Sequence, residues 1–160
     1  MSKKTCVLIL ENLRSVENTA SIFRTAEGFG VKKIILVGTS PTPVDRFGRK
    51  RKDFAKVSLG AENLVEWEYL ETKNFQFTIS NLQKEGFKII ALEQHPKAKS
   101  LRSYEASKLE RFALIVGNEV DGVSQETLEA SETIIEIPMR GKKESLNVSV
   151  STGIALFVLL

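Results

Sequence analysis

The chain has 160 residues, 42% of them apolar and 27% charged, with one cysteine and a net charge of +3. At 17.9 kDa, a folded surface of roughly 8,000 Å² would replace roughly 26,000 Å² unfolded, which supports one hydrophobic core rather than two. Ten glycines and four prolines, with ordinary apolar content, exclude collagen-like and disordered chains, and the lone Cys6 excludes an intrachain disulfide framework and gives no sign of a Cys-based metal site.

Met1–Thr5 leads into the apolar run Cys6–Leu10 and then Glu11, too short for a signal-peptide core or a bilayer span. Cys6 sits inside that run and reads as a small buried hydrophobe. Further strand-length apolar runs follow at Lys33–Val37, Phe87–Leu92, Phe112–Val116 and Thr133–Ile137. Continuous rather than alternating apolar residues suit strands covered on both faces, as in a parallel sheet. Leu64–Tyr69 alternates with Glu66 and Glu68, so it reads as an exposed edge strand or as irregular structure.

Helical spacing appears between these runs. Asn18–Phe29 places Ala20, Ile22, Phe23, Ala26 and Phe29 three or four residues apart and meets a stop at Gly30. Thr72–Glu85 carries Phe75, Ile79 and Leu82 and ends at Gly86; Ser124–Ala130 is short, with Ser124 placed as its cap. The segment from Asn147 is ambiguous by periodicity, and its length favours a helix packed on the sheet. Its apolar run Val148–Leu160 is too short to cross a bilayer. The expected fold class is a single α/β domain, a mostly parallel sheet with helices on both faces. No repeat or interdomain linker interrupts it.

The phosphate motifs of α/β enzymes are missing. Gly28-Phe29-Gly30 lacks the third glycine of a dinucleotide fingerprint and precedes a strand instead of following one. Gly141-Lys142-Lys143-Glu144-Ser145 lacks the spacing of a P-loop. The single His95 supports neither a metal cluster nor a Ser-His-Asp arrangement.

Polar residues concentrate in three segments: Asn12–Gly30, Ile115–Ser124 and Ile137–Val150. In order and spacing these resemble the three motifs of the SpoU/TrmH-type RNA 2′-O-ribose methyltransferases of the SPOUT superfamily, and the resemblance spans essentially the whole chain. It implies an α/β domain with a C-terminal trefoil knot, an S-adenosylmethionine site built on that knot, and a homodimer. Composition and periodicity do not lead to a knot, because threaded connections are almost absent from folds in general.

Carried over by position, Arg24, Asn18, Glu119, Ser145 and Asn147 fall on the polar active-site positions of the motifs. Leu92, Gly117, Ile137, Met139 and Leu146 fall where the cofactor pocket presents apolar side chains and backbone groups around adenine. Gly117 and Gly122 would admit close backbone approach or tight turns, and Pro138 would stiffen its loop. The resemblance puts Arg24 beside the reacting 2′-hydroxyl, where it is sometimes given the role of general base. A guanidinium is effectively always protonated, so gripping the adjacent phosphate and stabilising alkoxide charge is the alternative. Asn18, Ser145 and Asn147 would fix the ribose and the loop, with Glu119 ordering the network. Read singly, Asn18 and Asn147 also suit helix caps.

Asp45–Lys56 holds six basic residues and two acids. Arg46 and the consecutive Arg49, Lys50, Arg51 and Lys52 are the candidate phosphate contacts, which would make RNA binding salt-sensitive. Phe47 and Phe54 could stack on bases or pack in the core. The expectation is one catalytic domain over residues 1–160 with no separate RNA-binding domain, soluble and cytoplasmic. Its RNA would be transfer RNA first and ribosomal RNA second, with a catalytically silent RNA-binding paralogue as the alternative.

Overall fold

Apolar residues run without a break through Cys6–Leu10 because the strand that carries them is covered on both faces. The computed structural model, which describes residues 3–160, alternates strands and helices in the order expected of such strands. Its elements are β1 (Thr5–Glu11), α1 (Val16–Gly28), β2 (Lys33–Val37), α2 (Lys52–Ser58), β3 (Glu66–Leu70) and α3 (Phe75–Lys84), then β4 (Lys88–Leu92), β5 (Lys99–Ser100), β6 (Arg111–Val116), α4 (Gln125–Ala130), β7 (Thr133–Glu136) and α5 (Val148–Leu159).

The strands form one sheet in the order β3-β2-β1-β6-β4-β7-β5, and among the described residues every pairing between these strands is parallel. Leu8 sits at the centre, level with Ile34 of β2 and Leu114 of β6. Cys6, Leu8 and Leu10 face a core layer shared with Phe23 of α1, Phe54 of α2 and Leu156 of α5. Val7 and Ile9 face the opposite layer, shared with Phe75 and Ile79 of α3 and Leu128 of α4. The result is an α/β/α sandwich with helices on both faces, as the unbroken apolar runs require. Cys6 is buried, and that burial pushes its thiol well above the usual range.

Local differences from the sequence reading have physical causes. Helix α1 starts before its apolar pattern does, because the Ser15 side chain accepts the Asn18 N–H at 3.0 Å and caps it. Asn18 is therefore inside the helix and not its cap. The first turn of Thr72–Glu85 is a 3₁₀ turn, Thr72–Asn74, and the α-helix proper begins at Phe75. Glu66 and Glu68 are tolerated in the edge strand β3 because Lys33 of β2 pairs with both, at 3.4 and 2.9 Å. Helix α2 is hidden from sequence by its charges. It is held by Phe54, which is fully buried edge-on against Phe23 with ring centroids 5.1 Å apart and contributes about 1.5–3 kcal/mol. Among the described residues, no helix is long and apolar enough to cross a membrane.

Candidate functional site

The carboxyl ends of β1, β6, β4 and β7 lie along one edge of the sheet, and the loops that leave them meet there. Ligand sites of parallel sheets form at this edge, since the strands end together and their loops diverge. A cavity of about 280 Å³ opens among Leu92–Gln94, Val116–Val120, Gly122, Glu136, Ile137 and Ser145–Val148, with Asn18 and Ser151.

Its shape rests on a tight fold-back after β6. Asn118 and Gly122 exchange backbone hydrogen bonds of 3.1 and 2.9 Å, with Gly122 at φ +71°. The Asn118 side chain accepts the N–H groups of Val120 and Asp121 and donates to Asn12 O at 2.7 Å. Gly117 packs so closely on the backbone of Gly122 and Val123 that a Cβ there would overlap both. Its lack of a side chain thus serves the loop itself as well as the cavity it lines. Glu93 completes the turn by accepting the Val123 N–H at 2.8 Å. On the far side of the loop, buried Glu11 accepts from the Thr127 hydroxyl at 3.1 Å and anchors α4 to the end of β1.

Glu119 organises the polar wall. Its carboxylate accepts the backbone N–H groups of Arg14 and Ser15 at 3.0 and 3.1 Å and the Asn18 amide at 3.3 Å. Burial works against its ionisation, but its own backbone N–H, those of Ser15 and Arg14, and the Asn18 amide outweigh that and hold its pKa below the ordinary range. Asn18 in turn accepts from the Asn147 amide at 3.1 Å. Asn147 also caps α5, accepting the Ser149 N–H and hydroxyl and the Val150 N–H. Opposite, Gln94 donates to Ile137 O at 2.8 Å and closes β4 onto the loop after β7.

Eight of the sequence candidates therefore meet in one place: Asn18, Glu119, Ser145 and Asn147 on the polar wall, with Leu92, Gly117, Ile137 and Leu146. Met139 is half-buried in the loop beyond and does not line the cavity. Arg24 lines a separate, open groove with Ser21, Thr25, Gly28, Phe29 and Val57. It stands six positions along the helix from Asn18, a rotation of roughly 240°, so the two side chains leave α1 in different directions. Sequence reasoning missed Glu93, Gln94 and Glu136 as wall residues; their adjacency to Leu92 and Ile137 was the available signal.

The chemistry of the walls is one-sided. Among the described residues, Glu93, Glu119 and Glu136 line the cavity and no Lys, Arg or His does, while Leu92, Val116, Ile137, Leu146 and Val148 supply apolar surface. A ligand that suits this set joins an apolar portion to a cationic one.

The candidate RNA contacts lie along the same sheet edge, after β2. Arg49 is bonded to Asp45 at 2.8 Å, and Arg51 grips Asp53 through two bonds of 3.1 and 2.8 Å. The run is not a uniform cationic loop, since Lys52 already begins α2. Arg46, Lys50 and Lys52 form no ion pair among the described residues.

Comparison with known proteins matches residues 5–157 to the model of the SpoU rRNA methylase family. The chain is 30% identical to a 23S rRNA (guanosine-2′-O-)-methyltransferase of Neisseria meningitidis over 98% of its length and 58% of that protein's. It is also 30% identical to a tRNA (guanosine(18)-2′-O)-methyltransferase of Aquifex aeolicus, over 97% of this chain and 68% of the relative. An AdoMet-bound rRNA methyltransferase from Sinorhizobium meliloti superposes with a TM-score of 0.83 at 24% identity, over 99% of this chain and 56% of that one, which shows the shared fold. The chain thus spans a little over half the length of several proteins it resembles.

Proposed function

Because the chain belongs to the SpoU rRNA methylase family, we propose that it is an S-adenosylmethionine-dependent methyltransferase acting on a ribose 2′-hydroxyl of structured RNA. The observation that carries this reading is the cavity itself: three carboxylates, no basic side chain and an apolar wall at the carboxyl edge of a parallel sheet. S-adenosylmethionine has a flat adenine and a sulfonium, and when bound it supplies the methyl group. Leu92, Gly117, Ile137 and Leu146 would hold its nucleoside, with Met139 backing the loop, while the field of Glu93, Glu119 and Glu136 favours the charged sulfonium.

The chain's own residues then have to seat the RNA. Glu119 fixes Asn18, and Asn18 and Asn147 fix each other, so their amides are oriented before substrate arrives. With Ser145 they position the ribose. Arg24, permanently cationic, approaches from the neighbouring groove to hold the phosphate and stabilise charge developing on the 2′-oxygen. It does not act as a base, and the proton lost by the 2′-hydroxyl would pass to the adjacent phosphate. Arg46, Arg49, Lys50, Arg51 and Lys52 guide the RNA backbone.

The finer architecture belongs to the same proposal. The chain beyond Ile137 would thread as the family's trefoil knot; the return of α5 to α1 from β7, two strands beyond β6, supports it. The protein would act as a homodimer. Exposed Phe29, Val150, Ile154, Phe157 and Val158 offer apolar surface along α1 and α5, with Phe157 74% exposed and edge-on to Phe29. Transfer RNA and ribosomal RNA are the two substrate classes that the relatives' names supply.

The test is calorimetric titration with S-adenosylmethionine, followed by labelled methyl transfer to unmodified tRNA and 23S rRNA transcripts and nucleoside analysis. Saturable binding and a 2′-O-methylated nucleoside are expected. Folded protein that binds no cofactor at millimolar concentration would overturn the reading; cofactor binding without transfer to either RNA would leave a silent paralogue.

A further inference from the structure

We infer that Phe47 is a base-stacking tip that takes an unpaired nucleobase of the RNA, an inference that rests on the RNA-directed activity proposed above. The segment between β2 and α2 folds into a small closed ribbon. Val44 and Lys50 form an antiparallel bridge, Asp45 N–H donates to Arg49 O at 2.8 Å, and Arg51 N–H donates to Pro43 O at 3.0 Å. The Asp45 carboxylate fills the turn, accepting the N–H groups of Phe47 and Arg49 and the Arg49 guanidinium. This polar skeleton orders the tip without any help from the ring. Phe47 is 68% exposed and belongs to neither core layer, whereas Phe54 seven residues later is fully buried.

What surrounds the ring decides its ligand. The guanidinium carbons of Arg46 and Arg49 lie 4.8 and 5.0 Å from its centroid, and Lys50 and Lys52 follow. A protein-docking hot spot sits in a well-packed pocket whose surrounding contacts exclude water. Phe47 is instead open to solvent, with two guanidinium groups over its ring. An aromatic face beside guanidinium groups matches a nucleotide, with its base on the ring and its phosphates on the arginines.

The tip is also held at a set distance from the cavity. Ser40, at the root of the same segment, donates to Leu10 O at 2.7 Å and accepts the Leu13 N–H at 3.0 Å. Thr39 N–H donates to the Asn12 side chain, and Asn12 O receives the amide of Asn118 on the cavity wall. Helix α2 fixes the other end by seating Phe54 on Phe23. A stacked base at Phe47 would set which stretch of RNA lies over the site.

The experiment measures binding of a short single-stranded RNA and of the same sequence fully paired, across a salt series. Phe47→Ala should weaken single-strand affinity roughly five- to 150-fold with the salt slope unchanged, and leave duplex affinity alone. Phe47→Leu should behave like Phe47→Ala. Phe47→Trp in a Trp67→Phe background should keep affinity, with its emission quenched as RNA binds. Wild-type RNA binding that Phe47→Ala leaves intact, or unquenched emission, overturns the stacking role alone. A loss equal on both RNAs, or a loss of self-association in place of RNA affinity, also overturns it. A wild-type protein that binds neither RNA removes the RNA reading as a whole.

Discussion

Asn147 donates its amide to Asn18 at 3.1 Å, across 129 residues of sequence, and caps α5 with the oxygen of the same group. One side chain therefore both starts the last helix and closes the polar wall. The two duties separate by substitution. Asn147→Ala should cost about 1 kcal/mol of stability through the missing cap and also weaken cofactor binding. Asn147→Asp keeps an oxygen for the cap but cannot donate to Asn18. It should melt near wild type in calorimetry yet lose most methyl transfer.

Glu119 gives the wall its pH dependence. Its folded-state pKa is depressed, so the stability it adds is complete above its unfolded value and is lost as pH falls through the folded one. Stability measured by denaturant between pH 3 and 7 should fall on the acid side in the wild type. In Glu119→Gln that part of the slope should flatten, because the neutral amide no longer titrates.

Gly117 is the point of the cavity loop where backbone meets backbone. A methyl group in Gly117→Ala would overlap the backbone of Gly122 and Val123, and backbone yields less readily than a side chain. A loss of about 1–3 kcal/mol is expected from such overpacking, with cofactor binding abolished in the folded fraction. Gly122→Ala meets the flexible Glu93 side chain instead, at a strained φ of +71°. It should retain some binding.

Arg24 lies off the cavity, so its replacement should leave cofactor affinity close to wild type in calorimetry. Arg24→Ala should nearly abolish methyl transfer. Arg24→Lys keeps the charge but loses the planar fork, and a large loss there would assign the role to geometry rather than charge.

The cations after β2 should not contribute equally. Lys50 and Lys52 form no ion pair among the described residues, whereas Arg51 is held by Asp53 in two bonds. Replacing Lys50 and Lys52 with Ala should reduce the salt slope of RNA binding by roughly 0.7–0.9 for each phosphate left without its lysine. Arg51→Ala should change it less. Filter binding over a range of salt reads both.

The core was legible because its strands are unusually uniform: Lys33–Val37 has the same limits in sequence and structure, and Cys6–Leu10 lies inside β1. Helix α2 was not, since only Phe54 and Ser58 of its seven residues are buried and charge dominates the rest. The polar wall was legible through the resemblance, which put Asn18, Glu119, Ser145 and Asn147 together. Spacing alone could not have paired Asn18 with a residue 129 positions away. Glu93 and Glu136 escaped notice because a glutamate at the end of a strand has no periodic signature, and their meaning comes from standing in one cavity. Arg24 shows the converse. A motif position fixes where a residue stands on the helix but not which cavity its side chain enters.

The sheet order also dictates when the site can exist. Its walls need β6, which inserts between β1 and β4, and then the segment from Glu136 to Ser151. During synthesis the first strands can pair with each other while that central place is still vacant. Under the proposed reading, cofactor affinity would arrive only with the segment that follows the last strand, and a ribosome-stalled product ending before Ser145 would carry all seven strands and an unfinished wall.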